Sequence, residues 1–466
     1  MTDNDTVIWR IEGDPILRST VTSAWLLGSR PTRARMDAVV ERMIERLPRL
    51  RQRVVEDGAG VLPPRWEEDP YFDVDHHYHW TRLAGRAPGR RQALDYIAIL
   101  AARAFDKDRP LWELTMVEGL PGKRAVFIMK VHHAIADGLG MVQMLEHMVD
   151  LEADPADEPR PAADAPGDGD SSRRGSATGR GIRDRLGADA HTAARFGMGA
   201  MSVAKGLLSQ PVTTVKGLAG LSESVAKVVA PASTPLSPLL TGRSLSTRFD
   251  TIILPLADLK AGAKAGGGSL NDGFVAGVLS GLDRYHRELG TPCEQVRMHM
   301  PVSIRGGETA NQSSNQFVPT RMVLPLGELP PRERLHSTKQ LLADVRAEPA
   351  IPLMGDISAA ISRMGRQATI SVIGSIMKGV DITTSNVPGP PFPVWMAGRS
   401  VDEFFAFGPL AGSAINLTLF SYNGAVNIGV NTDRAAVADP ERFVRCLEEG
   451  LAEIVALATG ESDDSD

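Results

Sequence analysis

The feature that most constrains this chain is a polar interruption near its middle. Residues 152–185 are dominated by Pro, Ala, Asp, Glu, Gly, Ser and Arg, with too few apolar side chains to offset the entropy of becoming ordered. Any core must therefore be assembled from the segments on either side. Residues 186–230 are richer in Ala, Gly, Val and Leu, and Pro211 interrupts their helical pattern, which reads as a broken helical crossover. The expected organisation is an N-terminal lobe over 1–151, a linker and crossover over 152–243, a C-terminal lobe over 244–460, and an acidic tail over 461–466. A chain of 466 residues with 42% hydrophobic side chains has the material for two such cores.

Strand and helix signals occur in both halves, so the predicted fold class is α/β. Met36, Val39, Val40, Met43, Ile44 and Leu47 recur at helical spacing ahead of Pro48, predicting a helix over 33–47. The pattern returns over 94–105. Residues 125–131 form a short apolar run that suits a buried strand, and Met141, Leu145 and Met148 share one face of a helix over 138–149. In the second half, residues 249–254 read as a strand and 256–264 as a short helix. Ser269, Asn271 and Asp272 supply caps for the helix that carries Phe274, Val275, Val278, Leu279 and Leu282 and stops at Gly290. Val296, Met298, Met300 and Val302 alternate with Arg297, His299 and Pro301, the period of a strand. Further strands are expected over 317–324, 381–385, 415–420 and 425–430, the last two joined through Asn423-Gly424, a two-residue hairpin signal.

Charge and cysteine content exclude several functions. The net charge of −6 argues against a nucleic-acid partner. Two cysteines, Cys293 and Cys446, show no spacing typical of a zinc site or disulfide framework, so a reducing compartment is expected. The first residues have neither a basic start nor an apolar core, and no apolar run is long enough to cross a bilayer. Localisation is expected to be cytoplasmic, with any lipid contact peripheral, at the inner membrane face or a lipid body. No sequence feature sets an oligomeric state.

The run His132-His133-Ala134-Ile135-Ala136-Asp137-Gly138 falls at a predicted strand-to-helix turn. A strand end gives His133 a fixed backbone, and an imidazole titrates near neutral pH. It can therefore accept a proton from an alcohol attacking a carbonyl. The same pair can also be read as a packed, hydrogen-bonded element. Asp137 can cap backbone N–H groups or pair with an arginine, and Gly138 leaves room for a ligand to approach the backbone. A second cluster, His76, His77 and His79, invites a metal reading. We expect no metal.

The segment resembles the HHxxxDG motif of acyl-CoA-dependent acyltransferases, among them chloramphenicol acetyltransferase, peptide-synthetase condensation domains and the bacterial wax ester synthase/diacylglycerol acyltransferases. Further segments resemble the last group: Pro110-Leu111-Trp112 its PLW motif, Asn271-Asp272 its ND motif, and Pro301-Val302-Ser303-Ile304-Arg305 its PVSxR segment. Residues 385–390 and the region 416–433 are similar as well, so the likeness covers the chain from about residue 72 onward. Two departures stand out: residues 11–27 do not match the family's usual opening, and Ser314-Asn315-Gln316-Phe317 replaces a glycine-led segment.

The resemblance implies two chloramphenicol acetyltransferase-like lobes with a tunnel between them. It implies His133 as general base, His132 as structural, and Asp137 as an orienting residue held by an arginine, for which Arg305 is a candidate. Asn271, Asp272, Ser303, Arg305, Leu111 and Trp112 become candidate substrate contacts. For Asn271 and Asp272 helix capping is an equal reading, and for Leu111 and Trp112 packing is the other reading. The implied reaction moves an acyl group from acyl-CoA, a co-substrate, to a lipid alcohol, giving triacylglycerol or wax ester without a cofactor. The alternatives are another hydroxyl acceptor, such as a glycolipid or polyketide, and a catalytically silent lipid-surface protein.

Overall fold

A computed structural model describes residues 1–56, 63–85, 88–135, 138–153, 230–232, 234–303, 317–348 and 354–460. The expected linker and crossover over 154–229, the acidic tail, Asp137, Arg305 and Ser314 to Gln316 lie outside the described residues.

Two six-stranded mixed sheets dominate. The first has the order β11-β12-β1-β6-β5-β4, formed by β1 (Thr20–Leu27), β4 (Tyr78–Arg82), β5 (Trp112–Glu118), β6 (Ala125–His132), β11 (Trp395–Met396) and β12 (Arg399–Phe407). The second has the order β7-β14-β13-β10-β8-β9, formed by β7 (Thr247–Pro255), β8 (Gln295–Ser303), β9 (Phe317–Pro325), β10 (Ile382–Pro388), β13 (Ile415–Tyr422) and β14 (Ala425–Asp433). A separate ribbon pairs β2 (Gln52–Val55) with β3 (Arg65–Glu68).

Every residue of β6 is buried, as expected of a central strand covered on both faces. Its one cation, Lys130, has Nζ 3.3 Å from both Glu113 carboxylate oxygens and 4.2 Å from the Phe105 ring centre. Burial pushes the Lys130 ammonium below its usual range even so. The expected hairpin is present: Asn423 and Gly424 have φ of 46° and 79°, both in the left-handed region that a two-residue turn of this type requires.

The helices shift at their ends from the sequence-based expectations. They include α1 (Asp3–Ile11), α2 (Arg33–Arg46), α3 (Val74–His77), α4 (Arg90–Ala102) and α5 (Gly138–Glu146). In the second half they are α6 (Leu256–Ala265), α7 (Leu270–Glu288), α8 (Pro331–Arg346), α9 (Met354–Arg363), α10 (Arg366–Met377) and α11 (Pro440–Ala456). Helix α4 starts ahead of the expected residue 94 because the amide of Gly89 is capped by the Gln92 side chain. Helices α7 and α11 pack closely because of glycine: a Cβ on Gly281 would sit 2.7 Å from the Leu447 Cα, and one on Gly450 2.4 Å from the Gly277 oxygen. Among the described residues no helix is long and apolar enough to cross a membrane.

The largest departure from the sequence reading is β12. Residues 386–414 carried no strand expectation, yet β12 pairs antiparallel with β1, from Thr22 opposite Phe407 to Leu27 opposite Val401. The C-terminal half thus completes the N-terminal sheet. Its Phe407 ring stacks on Phe249 of β7 at 4.2 Å, and a Cβ on Gly429 of β14 would sit 2.0 Å from the Ala406 oxygen.

Candidate active site

The motif histidines sit at the end of β6, where the strand is held on both sides. The His132 amide donates to the Leu111 oxygen at 3.0 Å, and the His133 amide to the Ser19 oxygen at 2.8 Å. The His132 ring is fully buried, with Trp9 and Phe105 set edge-on to it at 6.0 and 6.3 Å. Its Nδ1 accepts from the Ala134 amide at 3.1 Å. That bond leaves the ring proton on Nε2 in the neutral form, and Nε2 lies 3.0 Å from Glu12 Oε1. Burial alone would raise the Glu12 carboxyl. The charge and hydrogen bond of His132, the Ser19 amide and Lys107 outweigh it, drawing the group down to about 2. His132 is therefore a clamped residue, and its clamp fixes where the next residue starts.

His133 faces a cavity of about 540 Å³ between the two sheets, within the ~300–1,000 Å³ typical of small-molecule sites. The N-terminal wall is mostly apolar, with Val7, Ile8 and Ile11 of α1, Met129 of β6 and Met141 and Leu145 of α5. The opposite wall comes from β8, β9, β10, β12 and β13 with α9 and α10, and includes His299, Arg321, Thr383 and Asn416. A partly accessible imidazole beside a largely apolar chamber can exchange a proton with a hydroxyl carried on a lipid chain.

The remaining candidates spread out. Gly138 opens α5 and Ser303 ends β8. Leu111 and Trp112 are buried in the N-terminal core, where Trp112 Nε1 donates to the Leu50 oxygen at 2.7 Å; the cavity wall is made without them. Asp272 caps α7 reciprocally with Ser269. Asn271 also stays behind the wall, its Oδ1 accepting at 3.4 Å from Asn386, which does line the cavity. His77 is buried, stacked on Trp112 at 4.5 Å and on Phe72 at 5.5 Å, with Nδ1 2.8 Å from the Trp112 oxygen. His76 and His77 belong to α3 and not to a strand, so the three histidines do not share one strand face.

Sequence reasoning missed Glu12, His299, Thr383 and Asn416. Nothing local marks Glu12 as the partner of a residue far along the chain. His299 carried a usable signal, because it lies on the polar alternation of β8; that face looks into the cavity instead of out to solvent.

Two mixed sheets enclosing a histidine-bearing chamber define the chloramphenicol acetyltransferase-like class. The solved structure of the wax ester synthase/diacylglycerol acyltransferase from Marinobacter aquaeolei VT8 shares the fold, with a TM-score of 0.57 at 21% identity over 95% of this chain and 96% of that one. So does the first condensation domain of the calcium-dependent antibiotic synthetase, at 0.59 and 16% identity over 99% and 96%. A starter condensation domain of rhizomide synthetase in complex with C8-CoA gives 0.55 and 14% identity over 100% and 96%. In sequence, residues 1–274 match the wax ester synthase/diacylglycerol acyltransferase catalytic domain and residues 313–455 the C-terminal domain of the same family. A Mycobacterium tuberculosis protein named as a diacylglycerol O-acyltransferase is 36% identical over 98% of this chain and 91% of its own length. The chain belongs to the wax ester synthase/diacylglycerol acyltransferase family, and it is an O-acyltransferase. The match reaches residue 1, so the divergent opening segment is part of the family domain.

Proposed function

We propose that the protein transfers a fatty acyl group from acyl-CoA to the hydroxyl of a lipid alcohol, with diacylglycerol as the first acceptor to test and a long-chain alcohol as the second. The observation that carries this reading is the placement of His133 in the wall of a mostly apolar cavity. The His133 imidazole takes the hydroxyl proton as the oxygen attacks the thioester carbonyl. The carbon–sulfur bond then breaks, and the imidazolium returns the proton to the departing thiolate. This general-base step contributes roughly a hundred- to ten-thousand-fold in rate. His132, clamped by Glu12 and the Ala134 amide, holds the base in place. Asp137 takes the orienting role that the motif implies, with Arg305 as the candidate partner to test.

Relatives named as diacylglycerol O-acyltransferases support the acceptor, and the C8-CoA complex of a protein with this fold supports acyl-CoA as donor. Acyl-CoA is a co-substrate and no cofactor is required. The reading places the protein in the cytoplasm, meeting its acceptor at a lipid surface. Purified protein is mixed with labelled palmitoyl-CoA and either 1,2-dioleoylglycerol or hexadecanol, and CoA release and ester formation are followed together. Ester from either acceptor is expected; full turnover in a folded His133→Ala variant would remove the base assignment.

A further inference from the structure

Four residues of the second sheet stand in one row across four strands. Arg321 of β9 is opposite His299 of β8, His299 opposite Thr383 of β10, and Thr383 opposite Asn416 of β13. Directly paired residues share a sheet face, and all four line the cavity. Asn416 is engaged: its Nδ2 donates to the Pro409 oxygen at 2.9 Å and its Oδ1 accepts from Thr418 at 3.0 Å. Arg321 donates to the Ile376 oxygen at 3.3 Å. The two residues between them differ. His299 is 8% exposed and Thr383 7%, and among the described residues neither ring nitrogen of His299 nor the Thr383 hydroxyl has a hydrogen-bond partner. Buried polar groups are normally satisfied, so three adjacent unsatisfied atoms aimed into one cavity call for an explanation.

We propose that His299 and Thr383 form a hydrogen-bonding subsite for an uncharged carbonyl-bearing segment of substrate, on the wall facing the one that carries His133. Burial, reinforced by Arg321, pushes the His299 imidazole down to about 4. At neutral pH it offers one N–H donor and one acceptor nitrogen, and Thr383 adds a hydroxyl. A neutral imidazole in an apolar chamber suits an ester or amide carbonyl. Two substrates of the proposed reaction carry such groups: the esters of a diacylglycerol and the amides of the pantetheine arm. This assignment rests on the acyltransfer reading above.

The test uses His299→Leu and Thr383→Val in the full chain, each compared with wild type by KM and kcat for palmitoyl-CoA with 1,2-dioleoylglycerol and with hexadecanol. Loss of one such hydrogen bond raises the relevant KM about tenfold. A rise confined to diacylglycerol assigns the subsite to the acceptor ester, since hexadecanol has none. A rise in the acyl-CoA KM with both acceptors assigns it to the pantetheine amides. Unchanged KM values, or a fall in kcat alone, overturn the subsite. If the wild type esterifies neither acceptor, it is the proposed function that fails. Calorimetric titration of dioctanoylglycerol and of octanoyl-CoA then decides the subsite separately. A tenfold weaker Kd for either ligand in Thr383→Val supports it, and equal values for both overturn it.

Discussion

Just behind the N-terminal wall of the cavity His132 is tied to Glu12 and to the Ala134 amide, and the His133 backbone amide to Ser19. On the C-terminal wall His299 and Thr383 are also buried, but around unsatisfied atoms. The difference separates two uses of a buried polar side chain. A partnered group fixes geometry and supports the fold, whereas an unsatisfied one subtracts from stability and holds its bonding capacity for a ligand. Under the proposed function, chemistry belongs to the first wall and recognition to the second.

The strongest challenge to that division is His133→Ala. It should lower kcat by roughly a hundred- to ten-thousand-fold while circular dichroism and the urea midpoint stay near wild type. Next, Glu12→Ala should lower the unfolding free energy by about 3 kcal/mol, because His132 keeps its burial and loses its carboxylate. Urea titration measures this, and a change below about 1 kcal/mol would contradict the clamp.

Acid sensitivity sharpens the comparison by window. The Glu12 carboxyl is depressed from 4.5 to about 2. Its contribution, about 3 kcal/mol, is present above pH 4.5 and lost as pH falls through 2. His299 is depressed from 6.5 to about 4. The unfolded chain takes up that proton first, so a similar amount of stability is lost as pH falls from 6.5 through 4. Stability profiles of Glu12→Gln and His299→Leu should flatten in these separate windows, and loss of both slopes in one variant would merge the two walls into a single network. The smallest effect is expected for His299→Leu at pH 7: a gain of up to about 1 kcal/mol, as an unsatisfied group leaves an apolar site.

Much of the fold was legible because period and turn chemistry are local. The alternation in β8, the Ser269-Asp272 cap and the Asn423-Gly424 turn each depend on a few neighbouring residues. What escaped was long-range. Neither the pairing of Thr22 with Phe407 nor the meeting of Glu12 with His132 is written in any window of sequence. The alternation of β8 could show two faces but not that the one carrying His299 and Pro301 meets the cavity instead of water. The HHxxxDG run is legible because it is a compact local stretch, whereas Glu12 and Ser19, which hold its histidines, come from elsewhere in the chain.

Strand β12 has a consequence for how the molecule is made. On the ribosome, the first 151 residues emerge with the outer edge of β1 lacking the neighbour that arrives only with residues 399–407. Until then a strand containing Trp25 and Leu27 offers open backbone groups to any extended segment nearby. The early half is accordingly a nascent form in need of shelter, and cutting the gene between the codons for residues 154 and 229 should yield two insoluble fragments that recover only when produced together.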